Sequence, residues 1–342
     1  MNTCTRGREN NNPMLQLEEI YKIIDDEISR LNWTEEPHGL YAPLKYMLDI
    51  GGKRLRPRFC LTAYNLFSDD IAEHILSPAM ALEVFHSFTL IHDDIMDKAD
   101  IRRGVPTVYK KWDNNTAILS GDAMCISSYQ LLNATPEHCL KAVHDLFTKT
   151  ALEVCEGQQM DMNFETMDNV PMEDYMTMIG LKTGVLIACA ASIGALIAGA
   201  DRNLSRQIYD FGFQLGLAFQ IQDDYLDSFG DEKVFGKKIG GDILNNKKTW
   251  LLIKCREEAR RKDGDNGICT LEELLAMGES EENAKIEAVK AFYRNLSIDT
   301  LAEEAINAYY NKAISELEKT NLNSAQKSQL EKFASALVKR QF

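Results

Sequence analysis

Proline and paired cysteine are scarce in this chain, and each scarcity excludes something. Only 8 prolines occur in 342 residues. No Pro/Gly-rich linker, low-complexity run or shift in composition accompanies them, so residues 14–342 read as a single domain although the length could hold two. The 8 cysteines are scattered, and no two form a Cys-x-x-Cys pair. A thiolate zinc site is therefore not expected, and the pattern suits a reducing, cytoplasmic setting. Positive charge is also short. The net charge is −14 and the pI about 5.0, without a basic stripe, which argues against a nucleic-acid partner. The apolar run Val185 to Ala200, sixteen residues, falls short of a membrane span and reads as a buried core helix. Residues 1–13 are polar and Asn-rich, with no apolar core to make a signal peptide, and are expected to form a disordered tail.

No stretch reads as a strand, whereas apolar residues at helical spacing recur throughout. Leu15–Leu31, Leu40–Ile50, Ala79–Asp97, Tyr175–Ala200, Ile208–Asp227 and two segments within Leu301–Leu337 carry the pattern. With 45% hydrophobic residues the core can be large, and the expected class is all-α.

Two of these helices hold the chemistry. Each contains Asp-Asp-x-x-Asp, at Asp93, Asp94 and Asp97 and again at Asp223, Asp224 and Asp227, 130 residues later. Residues four apart share a helix face, so Asp93 stacks with Asp97 and Asp223 with Asp227, while Asp94 and Asp224 lie about 100° round. Like charges so placed destabilise a helix, and a divalent cation is the natural offset. Carboxylates without His or Cys suit a hard ion, and Mg²⁺ commonly takes one or two carboxylates plus substrate phosphates.

Cations accompany the acids. Gly51-Gly52-Lys53-Arg54-Leu55-Arg56-Pro57 sets three cations beside two glycines, which allow a ligand close to the backbone, and Arg102-Arg103-Gly104 follows the first motif. Lys182-Thr183 precedes the apolar run, and Lys237, Lys238, Lys247 and Lys248 follow the second motif. His86 shares the Asp93 stripe, and Gln220 that of Asp223. Together these describe a diphosphate site, with bound Mg²⁺ reversing the local sign in an acidic protein.

On Gly-Gly-Lys-Arg-Leu-Arg-Pro (51–57), His-Ser-Phe-Thr-Leu-Ile-His-Asp-Asp-Ile-Met-Asp (86–97), Arg-Arg-Gly (102–104), Lys-Thr-Gly (182–184), Phe-Gln-Ile-Gln-Asp-Asp-Tyr-Leu-Asp (219–227), Gly-Lys (236–237) and Asn-Lys-Lys (246–248), the chain resembles the trans-isoprenyl diphosphate synthases, from about Leu40 to Lys254 and more weakly beyond. The resemblance implies an all-α bundle around a deep central cavity, usually a homodimer. It implies Asp93, Asp97 and Asp223 as Mg²⁺ ligands, with Asp94 and Asp227 in support, and Asp224 counts among the catalytic residues. About three ions would act with substrate bound, and Mn²⁺ could substitute. Arg102, Lys182, Lys237 and Lys247 would hold the allylic diphosphate. Gly52, Lys53, Arg56, His86 and Arg103 would hold isopentenyl diphosphate, and Thr183 and Gln220 would set oxygens near the allylic cation. The two motifs are expected to face one another across the cavity.

In that family, bulk just before the first motif limits the product. Here the relevant residues are Phe88, Thr89 and, from the helical wheel, Phe85, and the expected product is C15 to C20. A local bend would be needed to bring Phe88 to the Asp93 face. Three other readings compete. A class I terpene cyclase shares the first motif. A di-iron bundle would use Glu-x-x-His, found at Glu83–His86 and Glu35–His38. A non-catalytic partner subunit could carry the same fold.

Overall fold

In the computed structural model, residues 14–33, 36–230, 239–278 and 281–338 are described, so the expected tail over 1–13 lies outside them. The order of elements is α1 (Leu17–Arg30), α2 (His38–Asp49), α3 (Leu55–Asn65), α4 (Glu73–Met96), β1 (Ile101–Arg102), β2 (Val105–Pro106), α5 (Val108–Lys111), α6 (Asn114–Leu132), α7 (Glu137–Glu165) and α8 (Met172–Ile179). A π-turn (Gly180–Gly184) leads to α9 (Val185–Ile197) and α10 (Arg202–Phe229). Then come α11 (Gly241–Leu244), α12 (Trp250–Leu275), α13 (Glu282–Asn295), α14 (Ile298–Glu318) and α15 (Ser324–Val338). The class is all-α.

Local chemistry accounts for several boundaries. Gln16 and Glu19 form a capping box at α1, and Asp113 caps α6 through Thr116. Gly264, at φ 58° and ψ −138°, interrupts α12. Two expectations need correcting. A minimal antiparallel pair, β1–β2, follows α4 where no strand was read, because two residues carry no periodicity. The stretch read as one helix from Tyr175 is α8, a π-turn and α9, because the widened turn falls on Gly-Leu-Lys-Thr-Gly.

The chain packs as two compact units. The first takes Met1–Lys149, Leu186–Asp210 and Glu316–Phe333. Its core joins Leu44, Met47 and Leu48 of α2 to Val84 and Ile91 of α4 and Ala117 and Met124 of α6. Gly194 of α9 rides on the backbone of Cys60, where a side chain would collide. The second takes Thr150–Val185, Phe211–Ser315 and Ala334–Phe342, around buried residues that include Tyr175, Leu215, Ile221, Leu251 and Val289. Glu73–Met96 and Met172–Ile197 are long and apolar enough to cross a membrane, yet 61% and 83% of their apolar windows are buried within the protein. They are spent on the core.

Candidate active site

In the first unit, α4 delivers its acids at its own C-terminus. Asp97 is the C-cap, its N–H donates to Asp93 O at 2.8 Å, and Lys98 at φ 54° ends the helix. Carboxylates at this end meet the negative pole of the helix as well as one another, a cost of about 0.3–1 kcal/mol each. The second motif repeats the placement, since α10 ends at Phe229 just after Asp227. All the donors are hard oxygens. Among the described residues no three His, Cys, Asp or Glu side chains form a ready-made cage. That donor set fits Mg²⁺, which uses few carboxylates and completes its shell with water and substrate phosphate.

The hairpin behind α4 aims the arginines. Arg103 (φ 53°) and Gly104 (φ 79°) form a two-residue turn with both residues left-handed. Arg102 Nε donates to Asp94 Oδ1 at 2.8 Å and Oδ2 at 2.9 Å, and its NH2 lies 3.8 Å from Asp93. Burial works against the Arg102 charge, but the Asp94 bond and the Asp93 and Asp97 charges raise its pKa overall. Asp94 is 1% exposed. It therefore anchors Arg102, and only Asp93 and Asp97 of the triplet stand toward solvent.

Arg103 reaches the loop before α3, where its NH1 donates to Gly51 O and its guanidinium packs on Gly52. A Cβ at Gly52 would come within 2.6 Å of that group, and its φ of +138° suits only glycine. Arg54 is held by Glu83 Oε1 at 2.6 Å and by Leu48 O in a buried ion pair. Arg56 is also buried, its Nε without a partner. Burial pushes the guanidiniums of Arg56 and Arg103 each down to about 10, and crowding by neighbouring arginines adds to it. Burial and then Arg56, Arg103, Arg102 and Arg54 hold His86 well below the ordinary imidazole value. This is a desolvated cationic cluster with one internal carboxylate. Its chemistry calls for an anion. Lys53 lies exposed on the same loop.

The Glu83–Arg54 pair also removes the di-iron reading. Glu83 is occupied and 2% exposed, and Glu35 of the other copy lies outside the described residues. Below the acids, α4 runs as one helix from Glu73 to Met96, without a break at Phe88. Phe85 is buried and Phe88 partly so, with ring centroids 5.4 Å apart. Phe147 closes on Phe85 at 5.2 Å, and His92 on Phe88 at 4.9 Å. The Thr89 hydroxyl bonds back to His86 O at 2.8 Å. An aromatic layer thus stands one to two turns below Asp93.

The second unit collects the remaining groups around the π-turn. Gly157 of α7 abuts the Lys182 backbone, and Gly216 of α10 abuts Gly184, positions where a Cβ would collide. Such turns widen a helix where function needs a side chain re-aimed. Lys182 Nζ lies 2.6 Å from Asp161 Oδ2, and Lys247 Nζ lies 3.9 Å from the same oxygen. Asp161 was missed in the sequence, where it stands in an ordinary helix without a motif. Lys248 points elsewhere, lining a polar cavity of about 280 Å³ with Arg256 and Glu272. Lys237 and Lys238 lie outside the described residues.

Thr183 Oγ1 donates to Gln220 Oε1 at 2.9 Å, and Gln220 Nε2 donates to Asp224 Oδ1 at 3.1 Å. Asp224 also accepts from the Tyr175 hydroxyl and from Trp250 N at 2.9 Å. Burial pushes its carboxyl up to about 7, the Asp242 charge adding to this while the three donors oppose it. It is 6% exposed, so a direct catalytic role does not suit it. Asp227 is inward as well, receiving Asp242 N at 3.0 Å and so docking α11. Asp223 is the more open member of its motif.

Comparison with known proteins agrees with these features. A model of the family described as polyprenyl synthetase matches residues 37–293. A geranylgeranyl pyrophosphate synthase of Geoglobus acetivorans is 42% identical over 240 residues, 69% of this chain and 74% of that one. A crystal structure of a geranylgeranyl pyrophosphate synthase superposes with TM-score 0.88 and 44% identity, covering 96% of this chain and 100% of the other. The Corynebacterium glutamicum geranylgeranyl pyrophosphate synthase, solved with isoprenyl diphosphate and magnesium, has TM-score 0.85 and 25% identity over 96% of this chain and 100% of its own.

Proposed function

Since the chain belongs to the polyprenyl synthetase family and is a prenyltransferase, we propose that it adds isopentenyl diphosphate to allylic diphosphates up to the C20 product, geranylgeranyl diphosphate. The desolvated cluster of Arg54, Arg56, Arg103 and His86, with its single internal carboxylate Glu83, is the observation that carries the reading. Buried arginines with guanidinium values near 10 stay charged at neutral pH, so the cluster holds a net positive charge that an anion offsets, and the diphosphate of isopentenyl diphosphate supplies one. The names of the similar synthases support C20, and so does the aromatic layer of Phe85, Phe88 and Phe147, which is set below Asp93 rather than against it. A terpene cyclase gains no support from these relatives.

Mg²⁺, when bound, neutralises diphosphate charge and stabilises it as a leaving group. Asp93 and Asp97 at the end of α4 are the residues of the first unit that would hold it, and Asp223 at the end of α10 is that of the second. Lys182 and Lys247 are poised on Asp161 to take the allylic diphosphate, and Arg102 is braced by Asp94 beside Asp93. The allylic C–O bond breaks with its electron pair going to diphosphate. The isopentenyl double bond then attacks the allylic cation, forming the 1′–4 bond. A proton leaves the adduct to the departing diphosphate, which restores a trans double bond. Thr183 and Gln220 present polar atoms to the cation, the preorganised electrostatic role that dominates such steps.

A homodimer belongs to the same proposal. The outer face of α6 carries Ile118, Leu119 and Ile126 at 42%, 60% and 63% exposure. Three large aliphatics on one helix face are what a second copy would cover. The deciding experiment gives purified protein Mg²⁺, isopentenyl diphosphate and each of three allylic starters, with product length read by mass spectrometry. C20 as the longest major product is expected. Turnover of geranyl diphosphate alone, or no elongation from any starter, would refute the assignment.

A further inference from the structure

We propose that Asp224 and Tyr175 are positioning residues that set the direction of a hydrogen-bond chain ending at Thr183. As a result Thr183 turns oxygen lone pairs, and not its proton, toward the reacting cation. The inference rests on the elongation reading above and goes on to name what orders its cation-stabilising oxygens.

With Asp224 as the carboxylate, an acceptor at both oxygens, the direction follows from donor and acceptor counting. Trp250 N is a backbone N–H and can only donate, so Asp224 Oδ2, 2.9 Å away, must accept. The Tyr175 hydroxyl donates to the same oxygen. Gln220 reaches Asp224 Oδ1 through its amide nitrogen at 3.1 Å, which leaves its carbonyl for Thr183. Thr183 must then donate, which it does at 2.9 Å. A hydroxyl has one proton, and this one is spent inward, so only lone pairs remain on its outer side. Thr183 is 8% and Asp224 6% exposed, so water has little access to scramble the order. Oriented dipoles in such a site act on developing charge without reorganising. Asp224 thus works through Gln220 and not by ligating metal, although it belongs to the aspartate motif.

Asp224→Asn tests this because it keeps the shape and reverses the direction. The introduced amide would offer its N–H to Gln220, the Gln220 amide would flip, and Thr183 would accept and turn its proton outward. The expected result is a kcat about ten- to a hundredfold lower, with both KM values and the Mg²⁺ half-saturation within twofold of wild type. Tyr175→Phe should lower kcat several-fold in the same manner, and it serves if Asp224→Asn melts early. The double variant Thr183→Val with Asp224→Asn should be no slower than Thr183→Val alone. A second measurement needs no turnover. In ¹⁵N-glutamine-labelled protein, the Gln220 side-chain NH₂ signal, assigned by its loss in Gln220→Glu, should move in Asp224→Asn. A tenfold rise in Mg²⁺ half-saturation with kcat recovered at high Mg²⁺ would make Asp224 a ligand and overturn the proposal, as would an unmoved Gln220 signal. If wild type elongates nothing, the elongation reading fails, while the Gln220 signal still decides the direction of the chain.

Discussion

Replacing Gly52 with alanine should separate the two substrate sites kinetically. The added Cβ would stand 2.6 Å from the Arg103 guanidinium, well inside contact distance. The obstructing atoms are the far end of a flexible side chain, so Arg103 can swing away and the chain can still fold. What is lost is its charged hydrogen bond to Gly51 O, worth about 1.5–3 kcal/mol. If that position is needed for isopentenyl diphosphate, its KM should rise about ten- to a hundredfold, by the usual 1.4 kcal/mol per tenfold. KM for the allylic partner should stay within twofold. Alanine at φ +138° is also strained, at about 1–3 kcal/mol, so the melting temperature should fall by a few degrees. The assay is initial-rate kinetics with each substrate varied against saturating amounts of the other, beside calorimetry. Arg103→Ala should copy the KM effect without the strain, and the double variant should bind no worse than Arg103→Ala. Equal KM increases for both substrates, or none, would refute the argument that Gly52 exists to seat Arg103.

Other outcomes follow from the same geometry. Phe88→Ala should open the aromatic layer and lengthen the products by one or more C5 units in mass spectra, and an unchanged distribution would move the limit to Phe85. Stability should fall as the pH drops below about 6.5, because His86 in the folded chain resists a proton that the unfolded chain accepts. The contribution is at most about 1.4 kcal/mol per pH unit, and urea titrations of His86→Gln from pH 5 to 7 should show the shallower dependence. Ile126→Asp should dissociate the proposed dimer by sedimentation, since each aliphatic side chain lost from an interface removes about 1.5–3 kcal/mol of burial on each copy.

Much of the site was legible in the chain because its pieces are local. Asp-Asp-x-x-Asp on a helical period identifies which carboxylates share a face, and Gly-Gly-Lys-Arg-Leu-Arg marks a cationic turn. Helical spacing also gave the all-α class. It missed β1–β2 and the π-turn, since a two-residue bridge and one extra residue in a turn leave no periodic trace. The rival reading of Glu83 and His86 as metal ligands was equally permissible by spacing. Only Arg54, 29 residues earlier, decided it by occupying Glu83.

By itself, then, the sequence determined the reaction class, the acids and the cations. Their roles within each set belong to tertiary structure. Asp93 and Asp94 are neighbours of one type, yet one faces solvent and the other is buried under Arg102. Asp224 differs from Asp223 only because Tyr175, 49 residues away, and the Trp250 amide converge on it. A helical period says which face a residue lies on. What that face meets depends on packing, and packing sets the burial and hydrogen bonding that separate a metal ligand from the residue holding it in place.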